Sequence, residues 1–217
     1  MQDTMTTITA QVFMGPEILA SINSLAPFAD STRGGNTSPI TGLLLVRDGD
    51  TLAVYATNRF VATRAKYTHN VKFDDWNDGA TVWIDQATLK QAVAIAKNYA
   101  LPVISIGYDT ENRAFVNVAG NILFHVAGQP SYPAVQNLFN DNTPNGVDRV
   151  SLNPKWLAML AKVLTPTTRQ DKDMPWEFNM FHDDERNKPM PVLARLYPKT
   201  DAEWEIRVLI QPNLVVR

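Results

Sequence analysis

TVWIDQATLKQAVAIAKNYA, residues 81–100, decides the fold of this chain. Thr81-Val82-Trp83-Ile84 is apolar, β-branched and aromatic, the composition of a strand. Asp85 stands where an N-cap belongs, because its carboxylate can accept a backbone N–H that the first helical turn leaves without a partner. Leu89, Ala92, Val93 and Ala96 recur at helical spacing and predict one apolar stripe. Lys90 and Lys97 leave the opposite side. Strand-like runs follow at 103–108, 114–119 and 122–127. The unit reads strand, helix, strand, strand, strand.

The same order recurs upstream and downstream. Upstream, Ile8, Ala10 and Val12 alternate as in a strand, and Gly15-Pro16 opens a helix with proline at its first position. Leu19, Ile22 and Ala26 form its stripe. A polar loop at 30–39 leads to strands at 40–46, 51–57 and 60–65, and 69–79 links to the second unit. Downstream, Gly128-Gln129-Pro130-Ser131-Tyr132-Pro133-Ala134-Val135 punctuates the chain, and 137–146 is polar and linker-like. Val150-Ser151-Leu152 then leads to Asn153-Pro154, a second cap-plus-proline start. Leu157, Leu160, Ala161 and Leu164 make the third stripe, followed by strands at 176–181, 190–197 and 204–210. Pro175 and Pro191 would cost ladder bonds, so those strand ends are expected at edges or bulges. Aligned on Gly15, Asp85 and Asn153, the fourth, seventh and eleventh residues on are apolar in all three helices. The expected architecture is α+β, with repeated β-α-β-β-β units whose helices lie on one face of antiparallel sheets.

Composition narrows the function. The 217 residues are 45% hydrophobic and carry a net charge of −2. DNA contact would therefore need a local basic surface. No cysteine is present, which excludes disulfides and thiolate metal sites. No apolar run approaches the roughly 20 residues of a membrane span, and residues 1–9 lack the pattern of a signal peptide, so a soluble cytoplasmic chain is expected. His69, His125 and His182 are isolated, and His125 reads as a structural histidine in a strand. Asp183-Asp184-Glu185 and Asp74-Asp75 read as solvated turns. Phosphate loops, nucleophile elbows and paired bases do not occur. The expectation is no catalytic residue, no metal and no cofactor. Lys90, Lys97, Lys155 and Lys162 are more informative. At about 100° per residue they project within a sector of roughly 80°, opposite the expected stripes. This geometry suits phosphate contact. The first helix carries Glu17, Ala20 and Ser24 there instead.

Three passages resemble the bacterial DNA polymerase III β sliding clamp family. Tyr55-Ala56-Thr57-Asn58-Arg59-Phe60-Val61-Ala62 is similar to the clamp's A-T-D-R-[FY]-R-L-A, with Asn58 for the usual Asp. Residues 128–135 resemble G-x-[FY]-P-x-[FY]-x-x-[VL], with Gln129 for the aromatic. Leu209-Ile210-Gln211-Pro212-Asn213-Leu214 resembles V-x-M-P-x-R-L without its Met and Arg.

The resemblance implies a complete clamp-like domain of two units at 1–139 and a half-size domain of one unit at 140–217. It implies a shortened clamp of phage or mobile-element type. Its function would be that of a non-catalytic processivity factor tethering a replicative polymerase to duplex DNA through the phosphate backbone, without reading sequence. The implied partners are duplex DNA and peptides of polymerase and clamp loader. The implied peptide pocket comprises Thr57, Arg59, Pro130, Tyr132, Val135, Leu209 and Pro212. With three units per chain, a ring of twelve needs a homo-tetramer; the other reading is an open or monomeric relative. A clamp-derived protein that binds replication proteins without encircling DNA is the alternative function.

Overall fold

The computed structural model of the chain describes residues 8–30, 38–124, 131–139, 152–166, 174–183, 188–198 and 203–211. The first unit comprises β1 (Ile8–Met14), α1 (Pro16–Ser24), β2 (Gly42–Asp48), β3 (Thr51–Thr57) and β4 (Val61–Tyr67). A short strand, β5 (Val71–Asp74), precedes the second unit of β6 (Thr81–Asp85), α2 (Gln86–Ala96), β7 (Ile104–Asp109), β8 (Ala114–Val118) and β9 (Asn121–Phe124). The third contributes α3 (Pro154–Leu160), β10 (Glu177–Asn179), β11 (His182–Asp183), β12 (Lys188–Pro189), β13 (Val192–Leu196) and β14 (Trp204–Ile210).

The helix starts follow their caps. Asp85 Oδ1 accepts the Thr88 N–H at 2.8 Å, and Asn153 Oδ1 accepts the Lys155 N–H at 2.9 Å. Such a cap contributes about 1 kcal/mol relative to alanine. Gly15 makes no side-chain cap, and Pro16 supplies the preset φ instead. Ile18, Leu19 and Ile22 of α1 are fully buried, as are Leu89 and Ala92 of α2. Each of the large aliphatics contributes about 1.5–3 kcal/mol on burial.

The strands form a five-stranded sheet, β5-β1-β7-β8-β9, and a seven-stranded sheet, β10-β13-β14-β4-β3-β2-β6, besides the small β11-β12 pair. Every pairing is antiparallel. The first two units exchange their leading strands: β1 lies against β7, and β6 lies against β2. Neither unit can close its core alone. The third unit joins by its last strand, which runs antiparallel along β4 from Trp204 opposite Tyr67 to Ile210 opposite Val61. Trp204, Ile206, Val208 and Ile210 thereby enter the same core as α1 and α2.

Two expectations change. Residues 71–74, expected in a linker, form β5 and pair with β1, because Val71 and Phe73 alternate with Lys72 and Asp74 and can pack one side of an edge strand. The third stripe is turned. Leu160 is buried as expected, but Leu157 and Leu164 are exposed, at 43% and 53%, as is Ala161, and Trp156 is buried in their place. Trp156 brings the largest apolar area to this helix, and the helix rotates to bury it. Bonds to α1 hold the following segment in place: Ser21 Oγ donates to the Leu164 carbonyl at 2.7 Å, and the Leu164 N–H donates to Ser24 Oγ at 2.9 Å.

Gly107 marks the tightest approach between β1 and β7. A Cβ there would lie 2.0 Å from the Ala10 carbonyl oxygen, beside the irregular register between Ile8 and Ala10. Gly107→Ala must push backbone apart in the sheet that joins the two units. The expected loss is about 1–3 kcal/mol, read as a lower urea midpoint with an unchanged slope. An unchanged midpoint would show that the sheet accommodates the methyl freely.

Candidate functional site

Residues 57–61 connect β3 to β4 through a turn held almost entirely by its own polar groups. Thr57 Oγ1 donates to the Val61 carbonyl at 2.9 Å and accepts the Arg59 N–H at 3.3 Å. Asn58 Oδ1 accepts the N–H groups of Phe60 (3.2 Å) and Val61 (3.0 Å). An amide side chain here can satisfy the donors as an Asp would, since only its oxygen is used. The Gln211 N–H donates to the Phe60 carbonyl at 3.1 Å, which ties the turn to the end of β14. Arg59 consequently sits at φ 75°, a left-handed conformation that a non-glycine residue adopts only when its surroundings impose it. The result is that Arg59 and Phe60 are both displayed, with Phe60 64% exposed.

A groove of about 490 Å³ opens beside this turn. Thr57, Arg59, Phe60 and Ala62 form one wall. Asn137, Leu138 and Phe139 form the second, and Met190, Pro191, Leu193 and Leu209 the third. Its size and apolar lining with a few polar groups suit a ligand-sized occupant. The structure brings Thr57, Arg59 and Leu209 onto the groove itself. Tyr132 and Val135 join Leu209 in the apolar cluster with Leu44, Ala53, Tyr55, Ala62 and Phe139, on the outer side of the seven-stranded sheet. Burial pushes the Tyr132 phenol above its ordinary range. Pro130 and Pro212 lie outside the described residues, so the Pro130–Leu209 separation does too.

Sequence reasoning passed over Phe60, the second wall, Met190, Pro191 and Leu193 of the third, and Arg207. Arg207 was legible in one respect: it lies two residues before Leu209 on the same strand and therefore on the same face. Its side chain belongs to a row of charges across four strands. Arg64 faces Arg207, which faces Arg195, which faces Glu177. Glu205 bridges the three arginines. Its Oε2 lies 2.8 Å from Arg207 Nε and 3.6 Å from Arg64 Nη2, and its Oε1 lies 2.9 Å from Arg195 Nη2. Burial pushes the Glu205 carboxyl upward, but the Arg207 and Arg195 guanidiniums outweigh it and hold the group below its ordinary range. Arg64 also lies 5.3 Å from the Phe139 ring centre, which pins the 131–139 segment over the sheet.

Lys90, Lys97, Lys155 and Lys162 are all exposed. On α2 the two lysines stand opposite the buried stripe of Leu89, Ala92 and Ala96. On α3 the buried pair is Trp156 and Leu160, and Lys155 and Lys162 also project away from it at about 100° per residue; Lys155 Nζ lies 5.0 Å from the Trp156 ring. α1, which carries no lysine or arginine, packs against α2 and bonds to the residue-164 end of the α3 segment. Among the remaining candidates, His125, Asp184 and Glu185 lie outside the described residues. His69 is exposed, and Asp74 accepts a bond from Gln11 Nε2 at 3.4 Å. Among the described residues no three His, Asp or Glu side chains gather as a metal site would require, and no helix is long and apolar enough to cross a membrane.

No protein-family model matches the sequence, and no curated protein does. Solved structures match well. A Helicobacter pylori β clamp bound to a DNA ligase peptide superposes with a TM-score of 0.64 at 12% identity, over 98% of this chain and 68% of that one. The Thermotoga maritima DNA polymerase III β subunit gives 0.56 at 9% identity, over 94% of this chain and 64% of that one. A Eubacterium rectale chain assigned as a DNA polymerase III β subunit gives 0.52 at 12%, over 95% and 51%. The protein thus spans about half to two thirds of the length of the clamps it matches. The architecture is the DNA clamp fold. At these identities the likeness is one of fold.

Proposed function

We propose that the protein is a clamp-type tether for the replication machinery. It docks a linear peptide of a polymerase or clamp-loader subunit in the groove between Phe60, Leu138 and Leu209, and holds duplex DNA through phosphate contacts of Lys90, Lys97, Lys155 and Lys162. It performs no chemistry of its own. The observation that carries this reading is the convergence of three sequence-distant segments, 57–62, 137–139 and 190–209, on one apolar groove with Arg59 at its rim. Phe60, Leu138 and Met190 are all exposed there, an arrangement that favours an apolar peptide anchor with an acidic flank. The peptide seen in the Helicobacter pylori clamp complex supports the same occupant class. The two domains fall at 1–139 and 140–217 on this reading, and closing a ring around DNA needs further copies of the chain.

A second reading, an interaction protein that binds replication partners without encircling DNA, is favoured by α1. This helix touches both lysine-bearing elements yet carries Glu17 and no basic residue. Retention on nicked circular against linear duplex separates the two. The tether is retained on circles, slides from linear ends, and loses retention when all four lysines become glutamate. The logarithmic salt dependence of DNA association should flatten by about one unit for each phosphate contact removed. Equal, salt-independent behaviour of wild type and the fourfold variant would leave the interaction protein as the correct reading.

A further inference from the structure

The groove beside the 57–61 turn carries a charge that its apolar walls do not explain. Among the described residues its ionisable lining side chains are Arg59 and Arg207, both cations, and no acid lines it. Arg59 stands on the displayed turn at the rim. Arg207 stands inside, where its side chain keeps 13% of its exposure. Arg207, Leu209 and Gln211 all line the groove from one face of β14, about 7 Å apart in turn. Gln211 is the one tied to the turn, through its N–H to the Phe60 carbonyl, so Arg207 lies at the far end of this wall.

The charges around Arg207 do not balance. Arg64, Arg195 and Arg207 share Glu205, and the other acid in the row is Glu177, 3.9 Å from Arg195. Three guanidiniums against two carboxylates leave an excess of one positive charge. Lys66 on the same face does not alter this, because Asp48 offsets it at 2.9 Å. Glu205 Oε2, 2.8 Å from Arg207 Nε, holds the Arg207 side chain in place. A guanidinium carries five N–H donors in a rigid fork and binds more than one acceptor oxygen at once. Covering this region with a neutral occupant would seal the excess charge away from water, whereas a carboxylate would cancel it.

We infer that Arg207 determines the specificity of the groove by taking a side-chain carboxylate that the peptide carries about two residues from its apolar anchor. The spacing follows from the wall itself. An extended peptide advances about 7 Å every two residues, the same step that separates Leu209 from Arg207. This carboxylate is distinct from the acidic flank at Arg59. The inference rests on the groove reading and supplies the chemistry of the occupant.

Anisotropy titrations of the full chain with labelled ten-residue peptides, all amidated at the C-terminus, test it. Each peptide has one Phe anchor, with Glu or Gln placed two residues before it or two residues after it. In one of the two placements Glu should bind wild type at least about tenfold tighter than Gln, the effect of one charge-assisted bond. Arg207→Met should bring that ratio below about twofold, and Arg207→Lys, which keeps the charge but not the fork, should leave it in between. A purely structural role for Arg207 would weaken both peptides alike and leave the ratio unchanged, and that result overturns the inference. So does a wild-type ratio near one in both placements, which needs no variant to fold, or a preference that appears only when the peptide ends in a free carboxylate. Peptides that bind wild type without a Glu preference and are lost with Leu209→Asp refute the role of Arg207 and leave the groove reading standing. Failure of every peptide to bind wild type overturns both.

Discussion

Replacing Glu205 with glutamine is expected to lower the unfolding free energy by about 3–5 kcal/mol, the usual cost of leaving a buried ion pair without one partner. Glu205 is the carboxylate between Arg64, Arg195 and Arg207. The Arg64 and Arg207 side chains retain only 11% and 13% of their exposure. Without the carboxylate they are left as two like charges on facing strands, poorly solvated and directly opposed. The effect is pH-dependent with a definite sign. The folded Glu205 carboxyl lies below its ordinary value of 4.5, so its contribution is fully present above that value. It is lost as pH falls below 4.5 through the folded value, where the native side chain also protonates. Urea midpoints of wild type and Glu205→Gln should differ by a constant amount from neutrality down to about pH 5 and converge at lower pH. A difference that stays constant to pH 3 would mean that the charge on Glu205 is not what stabilises the row.

Leu209→Asp is expected to abolish peptide binding in the groove, raising the dissociation constant at least about 100-fold, which corresponds to roughly 2.7 kcal/mol. Leu209 contributes to both the groove and the apolar cluster with Tyr132 and Val135. A carboxylate there desolvates against a Leu or Phe anchor and repels an acidic flank. Adding Tyr132→Ala removes the aromatic packed beneath and should leave no measurable binding. The probe is a fluorescein-labelled peptide of about ten residues with Leu and Phe anchors and an acidic flank, followed by anisotropy. Leu209 lies on the half-buried face of β14, away from Val208 and Ile210 in the core, so the variant should remain folded. DNA association should be unaffected. Peptide affinity within threefold of wild type would place the peptide elsewhere on the molecule.

Much of this was legible along the chain, because it depends on near neighbours. The starts of α2 and α3 followed from Asp85 and Asn153, whose side chains cap within three residues. β3 and β14 fall at the positions expected from alternation. The α2 stripe is buried as its spacing requires. Thr57, Arg59 and Leu209 were named from motif resemblance, and all three reach the groove.

Tertiary structure decided the rest. Period-two alternation tells which face of a strand is buried, but every strand edge offers the same N–H and C=O groups, so the partner is chosen by global packing. The exchange of β1 and β6, the capture of β5 by β1 and the pairing of β14 with β4 belong to this class. The turn of α3 does too. Leu157 and Trp156 are adjacent, and helical spacing admits either as the inward residue. Burial of the larger Trp156 ring in the shared core chooses it, and the hydrogen bonds between Leu164 and Ser21 and Ser24 of α1 hold the following segment in place. The third wall of the groove is Met190, Pro191, Leu193 and Leu209, and it exists because β13 follows β14 onto the first unit's sheet. The chain's local chemistry determined its elements and their inward faces. Long-range packing, where one core had to be closed by three units that cannot each close their own, determined which edges met and where the groove opened.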